Sequence, residues 1–139
     1  MMKRFAILAA IALAAPATAG DVTVTLNAVE ARPGMLIVSL FDRATLFRAK
    51  PPYFAMVKPV AGTVTATLKD VAAGDYVLAV THDANGDFQL GMSASGAPTE
   101  GWAMSNADKL RGPPDFDVIK VAVPAAGATL TETMVYPKP

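Results

Sequence analysis

The stretch Tyr76–Asp87, YVLAVTHDANGD, decides how this chain is read. Its first five residues, Tyr76–Val80, are apolar and rich in aromatic and β-branched types, the composition of a strand. Thr81-His82-Asp83 follows. Asn85-Gly86-Asp87 then breaks the strand, because Asn and Gly tolerate the backbone angles that turns require. From Ala84 to Asp115 no sustained period of two or of 3.6 appears. Structureless connections longer than about 15 residues are uncommon in compact domains and are usually functional or disordered. Phe88, Leu90, Met92, Trp102, Met104 and Leu110 are available to pack this one down. The expectation is therefore an ordered flap over one end or one face of the domain. Ser105 is placed to cap a short helix over 106–110, which Gly112-Pro113-Pro114 ends.

Working outward, the flanking segments read as strands. In Asp21–Ala28, Val22, Val24 and Leu26 alternate with Thr23, Thr25 and Asn27, a half-buried strand. Ala31-Arg32-Pro33-Gly34 is a turn. Met35–Phe41 is apolar except for Ser39, and at this length it suits a strand buried on both faces. Asp42–Lys50 reads as one helical turn or a loop, with Leu46 and Phe47 plugging the end of the domain. Tyr53–Val57 is a short edge strand between Pro52 and Pro59. Thr63–Leu68 alternates most cleanly, with Val64, Ala66 and Leu68 on one face. After the flap, Phe116–Val123 and Thr129–Tyr136 read as the last two strands. Leu130, Met134 and Tyr136 share a face with Glu132, which leaves the inward side of that strand open. The fold class is thus all-β: a seven-stranded antiparallel β-sandwich with the long ordered flap between the fifth and sixth strands. A closed barrel is the alternative.

The first residues set the compartment. Met1-Met2-Lys3-Arg4 is a basic head, Phe5–Ala15 an uncharged apolar run, and Ala17-Thr18-Ala19 a small-residue cleavage site. That order is a secretory signal, and the run is shorter than the roughly 20 residues of a membrane anchor. Cleavage after Ala19 leaves Gly20–Pro139 as one domain, expected in the periplasm or secreted, with no membrane span. The chain has no cysteine, so neither disulfides nor a lipid-modified cysteine can stabilise or anchor it. Without Lys3 and Arg4, the 12 basic residues fall to 10 against 12 acidic ones. That balance does not suggest nucleic acid or an anionic membrane as a partner.

Several short motifs recur in order along the chain: Gly74-Asp75-Tyr76, His82-Asp83-Ala84-Asn85, Leu90-Gly91, Gly96-Ala97-Pro98-Thr99-Glu100-Gly101, Ser105-Asn106 and Gly112-Pro113-Pro114-Asp115-Phe116. Taken together they resemble a family of small exported bacterial domains of unknown function. The stretch Gly91–Ser95 departs from that pattern as an insertion. The resemblance implies export and a prealbumin- or immunoglobulin-like sandwich. It implies no activity.

Candidate chemistry collects at the strand–flap junction. Asp83, Asn85 and Asp87 place oxygens at alternate positions around the Asn85-Gly86 turn, an arrangement that hard cations such as Ca²⁺ favour. The EF-hand comparison fails further on, because Phe88 stands where glycine is needed and Ala94 where a bidentate Glu is needed. Glu100 and Asp108 are the outside ligands such a site would need. The bland reading is that Asp and Asn bond their own backbone in Asx-turns. His82 is the only histidine and there is no cysteine, so a His- or Cys-based zinc cluster is excluded. His82 is expected to pin the flap by hydrogen bonds. Trp102 is expected to pack the flap down or to serve as a platform for a ligand. The leading reading is a non-enzymatic binding or accessory module whose flap, with His82, Glu100, Trp102, Ser105 and Asn106, meets a small molecule or an envelope protein. It has no cofactor, or Ca²⁺. The alternative is a hydrolase using His82 with Asp83 or Glu100. An open cleft with His82 bonded to a carboxylate or to Ser93 or Ser95 favours the enzyme; a closed flap with His82 bonded to loop backbone favours the module.

Overall fold

The structure is a computed structural model, which describes residues 19–138. Apart from Ala19, the expected signal segment lies outside the described residues. Two sheets enclose one interior. The first is three-stranded in the order β4 (Gly62–Ala72), β1 (Ala19–Val29), β8 (Ala128–Thr133). The second runs β3 (Tyr53–Val57), β2 (Met35–Phe41), β5 (Gly74–Asp83), β6 (Trp102–Met104), with β7 (Val121–Val123) also paired to β5. Period-two alternation fills the interior from both sides, because successive strand residues point to opposite faces. Val22, Val24 and Leu26 from β1, Leu36, Val38 and Leu40 from β2, and Ala66 and Leu68 from β4 are all buried in it. Tyr76, Leu78 and Val80 complete it from β5. The run of β2 is buried on both faces, as its composition predicts.

Among the described residues eight strands stand where the sequence predicts seven. The added one, Trp102–Met104, lies inside the expected flap and pairs with Ala79–Thr81 of β5. One pairing also departs from the antiparallel expectation, since β1 and β8 run parallel from Val22↔Ala128 to Asn27↔Thr133. Beyond β8, Val135 exchanges two backbone hydrogen bonds with Trp102, of 2.9 and 2.8 Å. This bridge ties the two sheets together along one edge. On the other edge β3 and β4 form no ladder, so the structure is a two-sheet sandwich and not a closed barrel.

The stretch Phe116–Val123 corrects a second expectation. It is not one strand but a single helical turn, α1 (Phe116–Ile119), followed by β7. Asp115 is extended, with φ −121 and ψ 122, and its carboxylate accepts the Asp117 N–H at 2.9 Å as an N-cap. Phe116 and Ile119, three apart and therefore on one helical face, are buried against Val77 on the outer face of the second sheet. Leu46, Met104 and Leu110 pack around them. Leu46 therefore packs on the outer face of the second sheet and not, as expected, at the end of the domain, and Phe47 is largely exposed. The expected helix over 106–110 is a 3₁₀ turn, Ala107–Lys109, led by Asn106 in the left-handed region rather than capped by Ser105. The open question about the last strand is answered: Met134 is buried, and Leu130, Glu132 and Tyr136 on the same face are partly buried.

Candidate functional site

His82 and Asp83 are neighbours on β5 and therefore serve opposite faces of the sheet. His82 continues the inward row Tyr76, Leu78, Val80 and is 2% exposed. Its Nε2 lies 3.1 Å from the carbonyl oxygen of Pro33. A carbonyl only accepts, so Nε2 carries a proton, and in the neutral ring Nδ1 is the acceptor. Nδ1 lies 2.9 Å from the Tyr136 hydroxyl, which donates to it. That hydroxyl in turn accepts the Glu30 N–H at 3.1 Å. Burial pushes the Tyr136 phenol above its ordinary range, which keeps it a proton donor at neutral pH. The network joins four separate segments, namely the end of β1, the Pro33-Gly34 turn, the end of β5 and the tail after β8. Every polar atom of the imidazole is used.

Two glycines make room for this arrangement. A Cβ on Gly101 would fall 2.4 Å from a Tyr136 ring carbon, so only glycine lets the ring reach His82. Gly34 has φ +104, and a Cβ there would fall 2.1 Å from the Asp83 carbonyl oxygen. The backbone completes the junction, with His82 N–H donating to the Gly101 carbonyl at 2.8 Å.

On the other face, the buried Asp83 carboxylate organises the start of the loop. Its Oδ1 accepts from Gly86 N at 2.9 Å and Asp87 N at 3.3 Å, and its Oδ2 from Phe88 N at 3.0 Å. Glu100 does the same from the far side: Oε1 accepts from Ala84 N at 3.1 Å and Oε2 from Gly91 N at 3.0 Å. One carboxylate at each end therefore staples the loop 84–100 through backbone amides. The Asx-turn reading describes Asn85, whose Oδ1 accepts the Asp87 N–H at 3.2 Å, and Asp87, whose Oδ1 accepts the Gln89 N–H at 3.0 Å, whereas Asp83 reaches amides three to five residues on.

The candidate metal ligands are only partly brought together. Asp83, Asp87 and Glu100 each offer a carboxylate oxygen within 4.8 Å of the others. The Asn85 amide points its Nδ2 at Asp87, 3.3 Å away. Asp108 lies instead near Glu132, whose carboxyl is raised first by burial and then by that neighbouring charge. None of the five ion pairs among the described residues involves Asp83, Asp87 or Glu100.

The remaining candidates act further along the chain. Ser105 is 1% exposed; its hydroxyl accepts the Leu78 N–H at 3.1 Å and donates to the Ile119 carbonyl at 2.6 Å. Its own N–H bonds the Leu78 carbonyl at 2.9 Å, so Ser105 extends the β5–β6 pairing by one residue. Asn106 adopts φ +51 and donates Nδ2 to the Lys120 carbonyl at 3.0 Å. Trp102 is partly buried and is held by the backbone on both sides, by Thr81 and by Val135. Tyr136 and Gly101 had no assigned role in the sequence reading. The signal for Tyr136 was present: it lies two residues past Met134 on an inward face, and a buried phenol needs a polar partner. The lone histidine was the available one.

These features define an all-β, two-sheet domain whose long connection is stitched down by side chains bonding to backbone. Residues 24–131 match the family DUF2141, described as an uncharacterised protein conserved in bacteria, and the chain belongs to that family. No curated protein and no solved structure matches the chain.

Proposed function

We propose that this chain is an exported, non-enzymatic binding or accessory module that presents the 84–100 loop to a small molecule or an envelope protein. Phe88 carries the reading. Its backbone has φ +59 and its ring is 64% exposed. The left-handed region costs a bulky residue roughly 1–2 kcal/mol, and exposing the ring forgoes its burial. Asp83 offsets this by accepting the Phe88 N–H. A buried carboxylate is thus spent on holding an apolar ring in solvent, and backbone strain of that kind clusters at ligand clamps and binding loops. Met92, 55% exposed, stands on the same loop.

The hydrolase alternative finds little support in the geometry. Both ring nitrogens of His82 are engaged by Tyr136 and Pro33, and neither faces Asp83 or Glu100. The hydroxyls of Ser93 and Ser95 bond each other at 2.8 Å. Export rests on the Met1–Ala19 pattern, and sequencing the N-terminus of exported protein tests it: Gly20 as first residue is expected, and Met1 would contradict it. The prealbumin- or immunoglobulin-like style of the sandwich is part of the same proposal.

The test of the module compares wild type with Phe88→Ser/Met92→Ser. The two should melt within about 0.5 kcal/mol of each other, as exposed substitutions do. After cross-linking in envelope extract, mass spectrometry should find a species held by wild type and lost from the variant. Equal retention by both would contradict the proposal.

Cation binding is the second reading, favoured by the three converging carboxylates. The amide hydrogen bonds already account for the positions of Asp83 and Glu100, so the deciding comparison uses Asp87→Asn, which leaves those bonds in place. If Ca²⁺ binds, millimolar Ca²⁺ raises the melting temperature of wild type and not of the variant. Equal melting with and without Ca²⁺ retires the metal.

A further inference from the structure

We propose that the cavity between the Asp42–Lys50 turn and the Pro114–Phe116 corner is a second binding site, one that takes a small monoanion with a flat apolar body. It is an open cleft of about 560 Å³. It is lined by Arg43, Leu46, Phe47, Arg48, Pro114 and Phe116. Leu46 and Phe116 belong to the apolar cluster on the outer face of the second sheet and give the cleft an apolar patch, while most of its exposed lining is polar.

The two arginines differ. Arg43 is bound through both terminal nitrogens to Asp117, at 3.2 Å for one of them, and its guanidinium lies 4.6 Å from the centre of the Phe116 ring. Its charge is answered and its position fixed. Arg48 makes no ion pair and no side-chain hydrogen bond among the described residues, while its backbone N–H is held by the Thr45 carbonyl at 3.0 Å. The cleft is therefore lined by one guanidinium without an ion-pair partner among the described residues and by an apolar patch. That arrangement recognises a single carboxylate or sulfonate attached to an aromatic or short alkyl body.

Phe47 supplies the wall. Its φ is +54 and its ring is 59% exposed, 6.2 Å from the Phe41 ring. The turn that forces this backbone is closed locally, with the Asp42 carboxylate accepting Thr45 N–H at 2.9 Å and the Thr45 hydroxyl at 2.8 Å. Glycine would hold the same turn without strain. A strained aromatic at the mouth of a cavity, beside a cation with no partner, is accounted for by a flat anion stacked between them. This site is independent of the 84–100 loop.

Titration of ¹⁵N-labelled protein with 1-naphthoate, followed by amide shifts, tests it. Saturable shifts should centre on Arg43–Arg48 and Phe116–Asp117. Arg48→Ala should weaken binding about tenfold or more at unchanged melting temperature, and neutral 1-naphthalenemethanol should bind wild type no better than the variant binds naphthoate. Phe47→Gly should melt at or above wild type yet lose the saturable shifts, a combination that a purely structural Phe47 would not produce. Absent or scattered shifts in wild type, or equal naphthoate affinity in Arg48→Ala, would overturn the proposal.

Discussion

The two halves of the long connection between β5 and β7 are held by different means. The first half, 84–100, is held by carboxylate oxygens of Asp83 and Glu100 accepting five backbone N–H groups. Two of its three large apolar side chains, Phe88 and Met92, point into solvent, and Leu90 is partly buried. The second half, from Trp102 to Lys120, is held by sheet pairing and by burial of Phe116 and Ile119 on Val77. Burial of apolar area is the larger and more cooperative contribution. The five amide bonds, four of them partly buried, are confined to the loop and its two ends, so they can break without disturbing the sheets. The second half should therefore unfold only with the whole domain, and the first half should open locally at lower free energy.

Substitutions in the second half should give the largest effects. Ile119→Ala removes a fully buried side chain and should cost about 2–4 kcal/mol in a denaturant melt of the whole domain. A loss below about 1 kcal/mol would mean that α1 is not part of the core. Ser105→Ala should cost about 1–3 kcal/mol, since it leaves the Leu78 N–H and the Ile119 carbonyl without the hydroxyl they share. Trp102→Ala should cost about 1–2 kcal/mol, less than a fully buried aromatic would. An effect under about 0.5 kcal/mol would move Trp102 to the ligand-platform role.

The smallest effect concerns pH. Glu132 faces the interior at the edge of the first sheet, and burial with the Asp108 charge raises its carboxyl above the ordinary range. The native state then keeps this proton at pH values where the unfolded chain has lost it. Its contribution is fully present below the unfolded value and is lost as pH rises through the folded one. Glu132→Gln should accordingly raise the melting temperature at pH 7 and leave it nearly unchanged at pH 3. Because the group is only partly buried, solvent screening keeps the gain below about 0.5 kcal/mol. A variant that melts lower at pH 7 would show that Glu132 is not strained by burial.

Local pattern carried most of the sandwich. β1 and β4 each bury the face that their apolar residues predict, because half-buried strands must alternate, and β2 and β5 are continuous apolar runs buried on both faces. What escaped lay outside local pattern. Trp102-Ala103-Met104 is too short to show a period and becomes a strand only because β5 offers a free edge. The parallel partner of β8 is a tertiary fact with no signature in Ala128–Thr133. In Phe116–Ile119, spacing by three with an Asp cap was the available sign of a helical turn. At the junction, His82, Asp83 and Glu100 were legible as important, but their partners are backbone groups of Pro33, Gly86, Phe88 and Gly91, which carry no side-chain motif. Tyr136, more than fifty residues from His82, could be placed only by the fold.

The central claim is that the junction carboxylates pin the loop and leave the core alone. Amide hydrogen exchange, with a global melt on the same samples, tests it in wild type, Asp83→Ala and Glu100→Ala. The account predicts that protection at Gly86 and Phe88 falls about tenfold or more in Asp83→Ala, and at Ala84 and Gly91 in Glu100→Ala, while Ser105 and the β5 amides keep theirs. A tenfold loss corresponds to about 1.4 kcal/mol of local opening. Unchanged protection at those four amides, or loss spread equally into Ser105 and β5, would contradict it.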